Sequence, residues 1–222
     1  MEFVHALFEP TGEGPHPTIL ALHGWGANAL DLLGLAPYLC DGRFLVICPQ
    51  GPLEVPIGPG AMGYGWIPLR LGGPTDLKAL VSAKEGLQRF LDQAVSRYPI
   101  NREKIVVLGF SQGGAMAYSL ALSEPDRFRA LVSMSSWLSQ DLVDTLSVKP
   151  NDQFPSTLVQ HGTSDDLVAV DRARESVEIL RKLQAPVTYG EYDMGHQIGP
   201  ESLADLSVWL KEKVLSPIIL AT

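Results

Sequence analysis

The chain reads as an α/β protein with a mostly parallel sheet covered by helices on both faces. Three observations predict this: short runs that are apolar almost throughout, helical stretches alternating with them, and turn residues bounding nearly every run. A strand that is apolar at every position must be buried from both sides, whereas a sheet with one wet face would alternate apolar and polar residues.

A first strand near residues 3–8 is placed as an antiparallel edge. Buried-type strands follow at 18–22, 44–48, 104–108, 130–134, 157–160 and 187–192. Helices are expected at 75–97, 113–123, 171–183 and 200–214, the last with acidic and basic residues on a solvated face. Residues 49–74 break the alternation, because proline and glycine are mixed there with Ile57, Met62, Tyr64, Trp66, Ile67, Leu69 and Leu71. They read as a long loop. Loops of that length in compact domains are usually functional, so this one is expected to wall a substrate pocket, with Met62 and Trp66 as contacts.

No linker, charge block or shift in composition divides the 222 residues, so a single domain spanning 1–222 is expected. Apolar residues make up 45 % and charged residues 19 %, enough to build a core and too apolar for disorder. The net charge of −8, without clustered Lys and Arg, argues against nucleic acid as a partner. The start of the chain lacks the basic and apolar regions of a secretory signal, and no run is long enough to span a bilayer, so a cytoplasmic protein without stable membrane insertion is expected. Cys40 and Cys48 fit neither a metal-ligand spacing nor a disulfide framework and read as buried small hydrophobes, with a disulfide between them left open. Neither a Gly-Lys-Ser/Thr phosphate loop nor a His-x-x-x-His pair is present, so no cofactor or metal is expected. A homodimer is also left open, with no indication of which face would pair.

The chemistry concentrates at Gly109-Phe110-Ser111-Gln112-Gly113-Gly114, where an apolar strand breaks into Gly-x-Ser-x-Gly and then a small-residue helix. This pattern lifts a serine onto a sharp strand-to-helix turn, and the flanking glycines avoid collisions that a Cβ would cause. At a helix N-terminus the serine meets the positive end of the backbone dipole, and the N–H of Gln112 is left to bind developing negative charge. Serine also needs a base, and the base needs a partner that orients it.

Of five histidines, His196 is the best base, because it lies in a glycine-containing loop after the last strand and before the last helix. His5 and His16 read as surface residues, and His23 and His161, each before a glycine at a strand end, as hydrogen-bonding support. Asp165 is chosen as the orienting acid. The neighbouring Asp166 stays in contention with a capping or solvent role, and Asp193 reads as fixing its own turn. The order Ser, Asp, His is that of α/β-hydrolases. A tetrahedral oxyanion needs two donors, each typically worth about 3–4 kcal/mol. The N–H of Gln112 is one, and the N–H of Trp25, in Leu22-His23-Gly24-Trp25-Gly26, is the other. The Trp25 indole and Leu167 are further candidates for substrate contact.

Together with His161-Gly162-x-x-Asp165, Met194-Gly195-His196, Pro49-Gln50-Gly51-Pro52 and Tyr64-Gly65-Trp66, these motifs resemble the carboxylesterase, lysophospholipase and acyl-protein thioesterase family of α/β-hydrolases. The resemblance spans almost the whole chain and implies an α/β-hydrolase fold with a minimal cap or none. Two departures stand out: Asp166 follows Asp165 where the family commonly has proline, and Ala27-Asn28 stand where an acid is usual. The reading is a serine carboxylesterase acting on a small-molecule acyl ester of short to medium chain, through an acyl-enzyme. A thioesterase or lysophospholipase is the nearest alternative, and a non-catalytic binding protein on the same fold a remote one.

Overall fold

The computed structural model describes residues 3–69, 75–146, 148 and 153–216. Leu71, one of the apolar residues of the expected loop, lies outside them. Seven strands form one sheet in the order β1-β3-β2-β6-β7-β8-β9. These are β1 (His5–Phe8), β2 (His16–Leu22), β3 (Leu45–Pro49), β6 (Ile100–Phe110), β7 (Ala130–Met134), β8 (Ser156–Gly162) and β9 (Val187–Tyr192). Only β1 runs antiparallel, at the edge against β3. The pairs β2–β3, β2–β6, β6–β7, β7–β8 and β8–β9 are all parallel.

Because β2 sits between β3 and β6, the chain leaves it toward one edge and later returns on its other side. Such a reversal opens a crevice at the carboxyl ends of the strands, where ligands of α/β sheets bind. The loop after β2 and the turn after β6 flank that crevice.

The helices are α1 (Leu77–Arg97), α2 (Gln112–Ser123), α3 (Gln140–Leu146), α4 (Val170–Lys182) and α5 (Pro200–Leu210). Asp76 caps α1, its carboxylate accepting from Ala79 N at 3.1 Å, and the stripe Leu80, Ala83, Leu87, Phe90, Leu91 and Ala94 is buried. In α2 every residue from Gln112 to Leu122 is buried. Its glycines, alanines and serines let that helix lie close against the sheet. One core layer joins α1, α2 and α4 to the sheet, and the opposite layer includes Leu206 and Leu210 of α5. Among the described residues no helix is long and apolar enough to cross a membrane.

Two elements differ from the sequence reading. The short helix α3 has no counterpart in it. The expected loop at 49–74 contains a hairpin, β4 (Leu53–Gly58) and β5 (Ala61–Gly65), in place of structureless chain. Pro59 and Gly60 form its turn with Gly60 at φ 72°, the proline-glycine signature of a type II turn. Pro49, Pro52, Pro56 and Pro59 suppress the strand signal, yet the hairpin pairs locally and docks on the β2 loop. Gly26 N donates to Tyr64 O at 2.8 Å and Tyr64 N to Ala27 O at 2.7 Å. Cys40 and Cys48 are buried with free thiols, and burial, aided by the charge of Asp31, pushes the Cys48 thiol up to about 12.

Candidate active site

Ser111 sits between the last residue of β6 and the first of α2 with φ 53° and ψ −120°. A non-glycine residue in such a conformation costs on the order of 1–3 kcal/mol and persists only where its surroundings hold it. They do so here: Ser111 N donates to Met134 O at 2.9 Å, and Ser136 Oγ donates to Ser111 O at 2.6 Å. A Cβ on Gly109 would overlap the carbonyl of Gly113, and one on Gly113 would overlap that of Leu22. Both glycines are therefore sterically required, and the turn lifts the serine side chain out of the sheet.

The loops after β8 and β9 bring an acid and a histidine to it. His196 Nε2 lies 3.0 Å from Ser111 Oγ, and its Nδ1 lies 2.7 Å from Asp165 Oδ2. Asp165 Oδ1 accepts from Leu167 N at 3.0 Å and Val168 N at 2.8 Å. The two loops interlock. Thr163 N donates to Tyr192 O and Ser164 N to Met194 O, and a Cβ on Gly162 would overlap the Met194 carbonyl. The Phe110 ring packs against the imidazole at 4.9 Å between centroids. The arrangement can carry a proton from Ser111 Oγ to His196 while a carboxylate steadies the resulting imidazolium. Asp166 and Asp193 are exposed, and it is Asp165, 8 % exposed, that faces His196.

The backbone amides of Trp25 and Gln112 donate to no other group among the described residues, and both residues line the cavity beside Ser111. The Trp25 ring lies so close to Gly65 that a Cβ there would overlap it. His23 is buried, with Nδ1 2.7 Å from Gly24 O and Nε2 accepting from Gly51 N at 2.9 Å. Burial lowers its pKa, against smaller opposing effects of the Gly24 carbonyl and Asp31. His5 is half-buried instead of a free surface residue, its Nε2 2.7 Å from the Tyr98 hydroxyl.

A cavity of about 480 Å³ opens on Ser111. Its lining includes Gly24, Trp25, Ala27, Asp31, Leu69, Phe110, Trp137, Leu167, Val168 and His196. Trp25 and Leu167 thus stand where the sequence reading expects them, and Met62 and Trp66 do not. Trp66 is 2 % exposed and anchored in the core, its Nε1 donating to His23 O at 2.8 Å and its ring edge-on to Phe3. Met62 projects from the hairpin, 47 % exposed and outside the lining. Leu69 takes their place. Trp137 was missed, although it follows the end of β7, next to the strand bearing Ser111, where a strand-end criterion finds it. A larger groove of about 730 Å³ between α3 and α4 has charged walls and includes none of these residues.

Residues 5–214 match the family described as Phospholipase/Carboxylesterase, and the chain belongs to that family. It is 30 % identical over 203 residues to Acyl-protein thioesterase 1 of Gibberella zeae, covering 86 % of this chain and 85 % of that protein. Its fold is similar to that of esterase PE8, with a TM-score of 0.85, 23 % identity and coverage of 96 % of this chain and 100 % of the other. The Bacillus cereus carboxylesterase gives a TM-score of 0.78 at 24 % identity, with 95 % and 94 % covered.

Proposed function

We propose that this member of the phospholipase/carboxylesterase family is a serine carboxylic-ester hydrolase that works through an acyl-enzyme. The observation that carries this reading is the unbroken chain from Ser111 Oγ through His196 to Asp165, with spacings of 3.0 and 2.7 Å. Ser111 Oγ attacks the acyl carbonyl as His196 Nε2 takes its proton, and Asp165 holds the Nδ1–H tautomer and stabilises the imidazolium. The carbonyl oxygen becomes an oxyanion received by the amides of Trp25 and Gln112. As the tetrahedral centre collapses, the C–O bond to the alcohol breaks and His196 returns the proton to the leaving oxygen. Water then repeats the sequence on the acyl-enzyme, releasing the acid and restoring Ser111. The base must be neutral, so kcat/KM is expected to fall in acid with one proton taken up.

At about 480 Å³ the cavity lies in the lower half of the roughly 300–1,000 Å³ typical of small-molecule sites, which favours short to medium acyl chains. A thioesterase or lysophospholipase is the second reading. It is favoured by the Gibberella zeae relative's name and by Leu69 and Leu167, 46 % and 75 % exposed, which give the cavity an open apolar rim for a longer chain. The free thiols of Cys40 and Cys48 support a reducing, cytoplasmic setting.

The test is hydrolysis of p-nitrophenyl esters from acetate to palmitate by the wild type and Ser111→Ala, with a thioester of matched acyl chain alongside. Turnover peaking at short or medium chains and abolished in the variant is expected. A preference for the thioester or the longest chains would select the second reading. A folded wild type inert on all of them would leave a binding protein.

A further inference from the structure

His161 touches the acid side of the site, yet the proposed mechanism gives it nothing to do. Its side chain is fully buried at the end of β8. Nε2 lies 2.7 Å from Val168 O and 3.3 Å from Asp165 Oδ2, and Nδ1 is buried without a hydrogen-bond partner among the described residues. A carbonyl oxygen can only accept, so Nε2 carries the proton. A second proton, on Nδ1, would be a buried donor with no acceptor among the described residues. That N–H donates to the Val168 carbonyl, and its edge faces the Asp165 carboxylate.

We propose that His161 is a positioning residue of the hydrolytic site: its Nε2–H, bonded to Val168 O and lying 3.3 Å from Asp165 Oδ2, holds the turn and the carboxylate that orient His196. The inference rests on the reading of Ser111, Asp165 and His196 as a hydrolytic triad. An ionised carboxylate offers about four lone-pair positions. Leu167 N and Val168 N take two on Oδ1, His196 takes one on Oδ2, and the His161 N–H edge packs 3.3 Å from that same oxygen. Turning the carboxylate would break all three bonds. Val168 is held at both ends, its N–H by Asp165 and its carbonyl by His161. His161 also draws on the negative charge of the same oxygen that steadies the imidazolium, and so sets how strongly His196 holds a proton. The other ionisable group facing it is Glu191, its register partner on β9, which is ion-paired with Arg174 of α4.

The experiment compares His161→Leu, which removes the donor, with His161→Gln, whose amide N stands near the position of Nε2. Both are measured on p-nitrophenyl butyrate across pH. Wild-type turnover lost in Ser111→Ala establishes the underlying reading separately. For H161L the expected result is a kcat reduced about tenfold, KM within about twofold, and the acid limb of kcat/KM moved to higher pH by about half a unit. The shift follows because the positive N–H edge beside Oδ2 is then gone, and one pH unit is a tenfold change in proton affinity. H161Q should recover most of the rate and the wild-type limb. A folded H161L with the limb unmoved, or equal losses in both variants, would overturn the proposal while leaving the hydrolase reading intact. Should H161L fail to fold, His161→Asn, whose amide is too short to reach Val168 O, takes its place under the same criteria.

Discussion

The side chain of Gln112 grips the backbone beside Trp66: Oε1 accepts from Trp66 N at 2.7 Å, and Nε2 donates to Ile67 O at 2.9 Å. The residue whose main-chain amide faces the proposed oxyanion thus fastens the segment that leads from the hairpin to the cavity wall at Leu69. Gln112→Ala would strand a buried N–H and a buried C=O, each costing about 1–3 kcal/mol. Chemical denaturation is expected to show a loss of about 2–6 kcal/mol, on the same basis. Turnover should also fall, since the wall loses its anchor. Unchanged stability would mean that this clamp is replaceable by water.

Trp66 and Met62 should separate cleanly. Trp66→Ala removes a buried indole and its hydrogen bond to His23 O, at a cost of about 3–5 kcal/mol by analogy with other large-to-small core changes. Met62→Ala, on the exposed hairpin, should stay within about 0.5 kcal/mol. Thermal melts and chain-length profiles of both variants check this. A changed acyl preference in M62A would return Met62 to the substrate pocket.

The contrast shows which parts of the site were legible in the sequence. Ser111, Asp165 and His196 were readable because each follows a strand whose apolar run is unmistakable, and parallel strands deliver their carboxyl ends to one edge. The hairpin was not readable, because it is supported by docking to Gly26 and Ala27, a tertiary contact that overrides Pro56 within β4 and the prolines around it. Trp66 misled for a related reason. An aromatic among glycines and prolines suits a pocket wall as well as a core plug, and only the bonds to Gln112 and His23 decide between them. Asp166 was separable from Asp165 only in the folded structure, where Asp165 is buried and bonded to His196.

That separation predicts a large asymmetry between adjacent carboxylates. Asp165→Asn keeps the shape of the loop but offers His196 an amide in place of a charge, which in a serine triad lowers kcat by about 10⁴. Asp166→Asn, on an exposed side chain, should leave kcat within about twofold, as expected of surface substitutions. Steady-state kinetics on one ester decide between the two, and comparable losses in both would show that the acid is misassigned.

The last prediction concerns acid stability and His23. The buried neutral ring donates from Nδ1 to Gly24 O and accepts at Nε2 from Gly51 N, so protonating Nε2 would set two N–H groups against each other. Burial holds its folded-state pKa below the ordinary 6.5. The unfolded chain therefore takes up the proton first, and stability falls as pH drops below about 6.5, with a slope approaching about 1.4 kcal/mol per unit until the folded protein is protonated too. Above that pH the group contributes no slope. His23→Asn is less stable than the wild type at pH 8 but cannot titrate, so the gap between the two in urea denaturation should narrow from pH 7 to pH 5. A constant gap would mean that His23 stays neutral in both states or charges equally in both. The acid sensitivity would then have to come from other groups.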